Sequence, residues 1–371
     1  MRVQIVDPSA FTPPYDHALS AALARAGAEV ELVTSRFAYG GVPAPDGYAV
    51  RELFYRRSVG APGSRLRRIG KLATHVPDML RLRRLAAGAD VVHLQWLTAP
   101  VLDVHLLPDR PLVLTAHDLL PREPRAGQVR AQRQLFERVS AVIVHSEYGR
   151  RQLVDRLDLP EGKVHVVHHG AFAQIAASAG GTLPPELVGG TSGRGPVVLF
   201  FGLLRPYKGL ETLLRAWRGI DAAQLWIVGR PMMDLAPLRA LATDNVRFVP
   251  RFVTDAEMPA VFRQADVIVL PYARTERFDQ SGVLATALAF GKPVVLTDVG
   301  GFSEVAAAGA ARLVPAQDPG ALHEALTELI GDPAARDRLG ASALAAARGA
   351  YSWDAAALAT LAVYKGVVTP S

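Results

Sequence analysis

The 371-residue chain has no cysteine. Disulfides, thiol nucleophiles and thiolate metal sites are thereby excluded, and a zinc site would have to come from histidines and carboxylates alone. Its ten histidines are scattered rather than set at metal spacing. Nowhere does an apolar run approach the roughly 18 residues that a membrane-spanning helix needs. Met1-Arg2 leads straight into the apolar stretch Val3 to Val6, not into the pattern of a signal peptide, so a cytoplasmic protein is expected. No Asp-x-Asp pair occurs, which removes one familiar way of holding a diphosphate through a metal. Aromatic residues make up 7% of the chain, and none is interleaved between Arg56 and Arg84, its most basic stretch. Without stacking platforms that stretch does not read as a nucleic-acid site.

What the chain does have is apolar sequence, 50% of all residues, over a length that fits two domains with a core each. Short apolar runs alternate with helical stripes. Val3–Val6, Glu29–Val33, Tyr48–Tyr55, Val91–Leu94, Pro111–Thr115, Ala141–Val144 and Lys163–Val167 form a first series of expected strands. Pro196–Phe201, Gln224–Val228, Val246–Val249, Val267–Leu270, Pro293–Leu296 and Arg312–Val314 form a second. Runs of Val, Ile and Leu without polar alternation are strands buried on both faces, so an α/β class with parallel, doubly wound sheets is predicted. The span 171–195, rich in Ala, Gly, Ser, Thr and Pro, reads as a linker with a mobile loop between a first domain, 1–170, and a second, 196–351. A last helix over 352–371 is free to pack on either.

Charge is concentrated in the first half. Residues 1–180 carry 23 Lys and Arg against 17 Asp and Glu, while the remainder carries 18 of each. Between residues 51 and 84, Glu52 and Asp78 face ten Arg and Lys interleaved with Leu66, Ile69, Leu72 and Leu80. Such a segment suits an anionic membrane surface, a phosphorylated acceptor, or simply a solvated helix face.

Two stretches carry the chemistry. Val197 to Gly209, VVLFFGLLRPYKG, is a buried strand that breaks at Gly202 and presents Arg205 and Lys208. Val267 to Val305 is another buried strand, a polar loop with Asp279 and Gln280, and a helix opening at Ser281, Gly282 and Val283. The carboxyl ends of strands are where α/β sheets bind ligands, and a helix start offers unpaired N–H groups and the positive end of its dipole. Together they read as a cradle for a diphosphate. In the first half, His117 of Thr115-Ala116-His117-Asp118 follows a strand and faces the ligand crevice by topology, with His93 and Gln95 as weaker candidates. The pair His168-His169 reads as an ordinary hinge turn.

These stretches in order, followed by Gly291-Lys292-Pro293-Val294-Val295 and Asp298-Val299-Gly300-Gly301-Phe302-Ser303-Glu304-Val305, resemble the GT-B glycosyltransferases of family 4. The resemblance covers nearly the whole chain and is strongest between Gly202 and Val305. It implies two Rossmann-like, doubly wound domains facing each other across a cleft, with a nucleotide diphosphate sugar as donor substrate, no cofactor or metal, and retention of anomeric configuration. The acceptor is a glycan, a lipid-linked molecule or a small molecule, and residues 51–84 are placed to meet the inner face of the plasma membrane. His117 is expected near the donor sugar, Arg205 and Lys208 at the leaving diphosphate, and Arg251 and Phe252 at the base. The final helix crosses back to the first domain in such enzymes. Two glutamates usual in the family fall here on Phe278 and Thr286. Glu276, Asp279 or Gln280 is the substitute for the first, and the Thr286 hydroxyl is what remains for the ribose. An epimerase of the same fold and a catalytically silent sugar-nucleotide-binding scaffold stay open; no feature marks Lys163, Lys208 or Lys292 for the pyridoxal phosphate of a phosphorylase.

Overall fold

A computed structural model of the chain describes residues 1–38, 40–58, 64–120, 127–189, 195–275 and 280–369. It divides into two compact units. The first contains residues 1–170 and the C-terminal helix from Trp353; the second contains residues 171–275 and 280–352.

Each unit is organised on one parallel sheet. In the first, β1 (Arg2–Asp7), β2 (Glu29–Ser35), β3 (Ala49–Phe54), β4 (Val91–Leu94), β5 (Leu112–Thr115), β6 (Ala141–Val144) and β7 (Val164–Val166) lie in the order β3-β2-β1-β4-β5-β6-β7. In the second, β8 (Val197–Phe201), β9 (Gln224–Val228), β10 (Val246–Val249), β11 (Val267–Leu270), β12 (Val294–Thr297) and β13 (Arg312–Val314) lie in the order β10-β9-β8-β11-β12-β13. These are the doubly wound α/β sheets that the apolar runs predict. Every residue of β4, β5, β6, β9, β11 and β12 is buried, which is why those strands tolerate no polar alternation. Strand order reverses between β1 and β4 and again between β8 and β11, and such switch points open a crevice at the carboxyl edge.

Helix α1 (Pro13–Arg25) starts with Pro13 in its first turn, where a missing N–H costs nothing. The basic segment forms one long helix, α2 (Arg65–Leu85), capped by Ser64, whose hydroxyl accepts from the Arg67 amide at 3.3 Å. Its inner side buries His75, Asp78, Met79 and Leu82; its outer side exposes Leu66, Ile69 and Leu72 by 61%, 55% and 73%.

The span read as a linker is more than a tether. It carries the short helix Ala173–Ala177, and its Thr182 amide donates to Ala256 O at 3.3 Å, within the second unit. The C-terminal helix, Trp353–Val368, packs along α1 in the first unit, where Arg25 meets Asp354 at 2.6 Å. Thr360, Val363 and Tyr364 are buried on that helix.

Candidate functional site

In the second unit, the loops after β8 and β11 flank the switch point. Gly229 has a φ of +153°, and a Cβ there would lie 1.8 Å from Gly202 O, so only glycine lets the ends of β8 and β9 approach. Gly209, at φ +71°, is held equally close to Pro271 O. Between these fixed points run Arg205, half-buried, and the single 3-10 turn Pro206–Lys208. Lys208 is only 8% exposed. Its Nζ donates to the Tyr272 hydroxyl and sits 3.8 Å from the centre of the Tyr272 ring, a cation held on an aromatic face. Tyr272 is fully buried just beyond β11, and its hydroxyl lies 3.1 Å from Ser281 Oγ at the start of the helix Gly282–Ala289. Lys208, Tyr272 and Ser281 thus form one polar line at the helix start.

One expectation needs correction there. The Ser281 amide is not offered to a ligand, because it donates to Gln280 Oε1 at 2.9 Å; the hydroxyl is what Ser281 presents. The amides of Gly282 and Val283 belong to the first turn, whose N–H groups have no partner inside the helix. Thr286 is buried and donates its hydroxyl to Gly282 O at 2.8 Å, so its hydrogen is already used. Asp279, Phe278 and Glu276 lie outside the described residues. Arg251 is claimed by two carboxylates: it meets Glu186 at 2.9 Å and Glu257 at 2.7 Å, and both acids are held below the usual carboxylate range by that guanidinium, Glu257 at about 2. Its guanidinium is a clamp within the unit, and Phe252 beside it is 58% exposed. Glu257 is six residues from Arg251, but the other arm of the clamp, Glu186, is 65 residues away and no local pattern links it to Arg251.

The carboxyl edge of the first sheet is built differently. Asp7, ending β1, gathers the loop that follows: its carboxylate accepts the amides of Ser9 at 3.2 Å, Phe11 at 2.5 Å and Thr12 at 3.1 Å. Loop amides that could face a ligand are turned inward instead. Burial, and the charge of Asp7 beside it, push the Asp16 carboxyl well above its ordinary range. Burial raises the Asp7 carboxyl as well.

His117 stacks on Trp96, with ring centres 5.0 Å apart, and meets Tyr15 edge-on at 4.7 Å. A cavity of about 240 Å³, lined by Trp96, His117, Asp118, Gln128 and Gln132, opens beside it. Burial pulls His93 down to about 3 and His169 to about 4, and burial with neighbouring imidazoles pulls His145 to about 3 and His117 well below its ordinary value, so all are neutral at pH 7.

Neutral rings have fixed donor and acceptor sides. His145 Nδ1 lies 2.9 Å from Val167 O, which can only accept, so that nitrogen carries the proton and Nε2 is a lone pair. His117 Nδ1, 3.4 Å from that lone pair, is then the donor, and His117 Nε2 is left as an acceptor. Gln95 Oε1 is placed 2.9 Å from His117 Nε2; the tautomers call for the half-turn of that amide which brings its NH₂ there instead. His93 Nε2 then donates to Thr115 Oγ1 at 2.7 Å, and its Nδ1 accepts from the Tyr364 hydroxyl at 2.6 Å. One directed chain of hydrogen bonds runs along the ends of β4 to β7. His93, Gln95 and His117 were readable as candidates. His145 and His169 end β6 and β7 and obey the same positional rule, yet their meeting with Tyr15, at 5.5 and 5.0 Å, needed the fold.

Comparison with known proteins agrees with this architecture. Residues 15–171 match the sequence pattern described as Glycosyltransferase Family 4, and residues 195–332 that described as Glycosyl transferases group 1. The chain is 30% identical to a D-inositol 3-phosphate glycosyltransferase of Kineococcus radiotolerans, over 94% of this chain and 89% of that protein. It is 32% identical to a phosphatidyl-myo-inositol mannosyltransferase of Mycobacterium leprae, over 78% of this chain and 77% of the relative. Among solved structures, HepE of Anabaena, crystallised with UDP and glucose, superposes with a TM-score of 0.72 at 18% identity, over 99% of this chain and all of that one.

Proposed function

This chain belongs to family 4 of the glycosyltransferases, and we propose that it moves a hexosyl group from a nucleotide diphosphate sugar to its acceptor without a metal ion and with retention of anomeric configuration. The observation that carries this reading is the buried Lys208 laid on Tyr272 beside Ser281 and the helix start. When the bond from anomeric carbon to phosphate breaks, its electron pair goes to the diphosphate. A fixed cation already out of water stabilises that charge without reorganising, and Arg205 adds a second. UDP is the first nucleotide to test, since HepE was solved with UDP. His117, neutral and held through its ring nitrogens, supports a positioning contact to the donor sugar rather than proton transfer.

The two relatives are named for a cyclitol phosphate and for its phosphatidyl form, which favours a phosphate-bearing polyol, soluble or lipid-linked, as acceptor. No helix among the described residues is long and apolar enough to cross a membrane. The outer face of α2, with Leu66, Ile69 and Leu72 exposed beside Arg65 and Arg68, supports a resting place on an anionic inner membrane surface.

A thermal-shift screen against UDP, GDP, ADP, TDP and CDP, without divalent metal, tests the donor site. One nucleotide should raise Tm, by the equivalent of about 2.7 kcal/mol at a hundredfold excess over Kd, and lose that effect in Lys208→Ala. An equal shift in the variant, or a shift only with magnesium, would sink the metal-free cradle.

A further inference from the structure

A cavity of about 500 Å³ opens at the carboxyl ends of β2 and β3 against the first turns of α2, and His117 is not among its lining residues. It is strongly cationic: Arg36, Arg56, Arg67 and Lys71 line it against a single carboxylate, Glu52. Some exposed arginines of this unit pair with acids, as Arg51 does with Glu31 and Arg81 with Asp78, each at 2.6 Å. Arg36, Arg56 and Lys71 form no ion pair among the described residues. Like charges gathered around a concave surface repel one another, and burial together with the Arg67 guanidinium pulls Lys71 below its ordinary range.

The floor of the cavity is rigid. Lys71 Nζ sits 4.7 Å over the Tyr55 ring. Tyr55, at φ +56°, is pinned by its amide on Asp78 at 2.9 Å and by its hydroxyl on His75 Nδ1 at 2.7 Å. His75 in turn meets the buried Asp103 at 2.5 Å, and Asp103 accepts the Ala99 amide at 2.8 Å. The lining Ser58 adds a buried hydroxyl with no hydrogen-bond partner among the described residues. Several cations, a spare hydroxyl donor and a fixed aromatic floor suit a tetrahedral oxyanion better than a carboxylate, because more of its oxygens can be met at once.

The geometry points to a phosphate-binding subsite here, distinct from the diphosphate cradle, that anchors the phosphate group of the acceptor. For the ligand being an acceptor, the inference rests on the transferase reading; for the site itself, it does not. Position refines the class. β2 and β5 are three strand spacings apart, about 14 Å, so the anchored phosphate lies more than one sugar ring from His117. His117 is read as touching the donor sugar, so that span is shared by the donor sugar and by the acceptor between its reacting hydroxyl and its phosphate.

Inorganic phosphate is the probe, titrated by calorimetry into the full chain carrying Lys208→Ala so that the donor cradle is not read. Adding Arg56→Ser and Lys71→Gln should raise the apparent Kd at least tenfold. Arg36→Ser, on an exposed side chain, should raise it severalfold with no cost in folding; unchanged affinity in both sets overturns the subsite. Sedimentation with phosphatidylcholine vesicles containing phosphatidate separates the sources. Loss of phosphatidate-dependent binding in the pocket variants means a lipid-borne phosphate, and loss confined to inorganic phosphate means a soluble one. The nucleotide-induced shift, measured in parallel in a Lys208 background, reports the donor reading separately: its absence refutes that reading and leaves the phosphate result standing.

Discussion

The carboxyl edges of the two sheets follow opposite electrostatic plans. In the first unit, His93, Gln95, His117 and His145 satisfy one another in a neutral, directed chain that ends on Val167 O. In the second, a buried ammonium is set on Tyr272 with a helix start beside it. The neutral chain fixes where a ring stands and which side of it accepts. On the proposed reading, the cationic group stabilises charge that appears only when a bond breaks. A network that closes on itself serves geometry, whereas excess positive charge serves a leaving group.

The largest break of that comparison should come from Arg205→Ala. If it supplies charge to the leaving diphosphate, kcat should fall by about 10²–10³ in initial-rate measurements while the fold stays intact. A fall of less than severalfold would assign Arg205 to structure alone.

Acidification should strike the first unit next. The four histidines of the neutral cluster have folded pKa values depressed below the free value, so the unfolded chain takes up protons that the native state refuses. Stability is therefore full above pH 6.5 and lost as pH falls from there toward about 3. Each such histidine contributes a loss of about 1.4 kcal/mol between pH 7.5 and 5.5. Denaturant titrations at the two values should show it, and a flat profile would mean that the rings are charged or exposed.

Replacing one link isolates the chain itself. His145→Leu leaves the His117 N–H without an acceptor and should cost about 1–3 kcal/mol. His145→Gln, which can still accept there and donate to Val167 O, should recover much of it. Ring ¹⁵N shifts of His117 read the tautomer directly: a proton on Nδ1 in the parent is required, and a parent ring protonated on Nε2 refutes the directed chain.

The smallest effect is expected at Asp16. Its raised pKa means that its contribution is present below the unfolded value of 3.8 and lost as pH rises through the folded value. Asp16→Asn supplies a permanent donor to Asp7, so Tm at pH 8 should rise slightly and at pH 4 should not. A drop at pH 8 would show that the amide cannot take the place of the carboxyl beside Asp7.

How much was legible follows from range. Sequence alone determined the two parallel sheets, because unbroken Val, Ile and Leu runs have no stable place except between two layers, and it showed that Gly202, Arg205 and Lys208 follow β8 directly while Ser281 opens the helix after β11. Tertiary structure decided the rest. Lys208 meets Tyr272 across 64 residues, Arg251 meets Glu186 across 65, and His93 meets Tyr364 across 271. None of these partners shares a local period with the other, so no pattern along the chain announces them. Which cation stays available to a ligand, and which imidazole nitrogen accepts, is set by neighbours that only the folded sheets bring together.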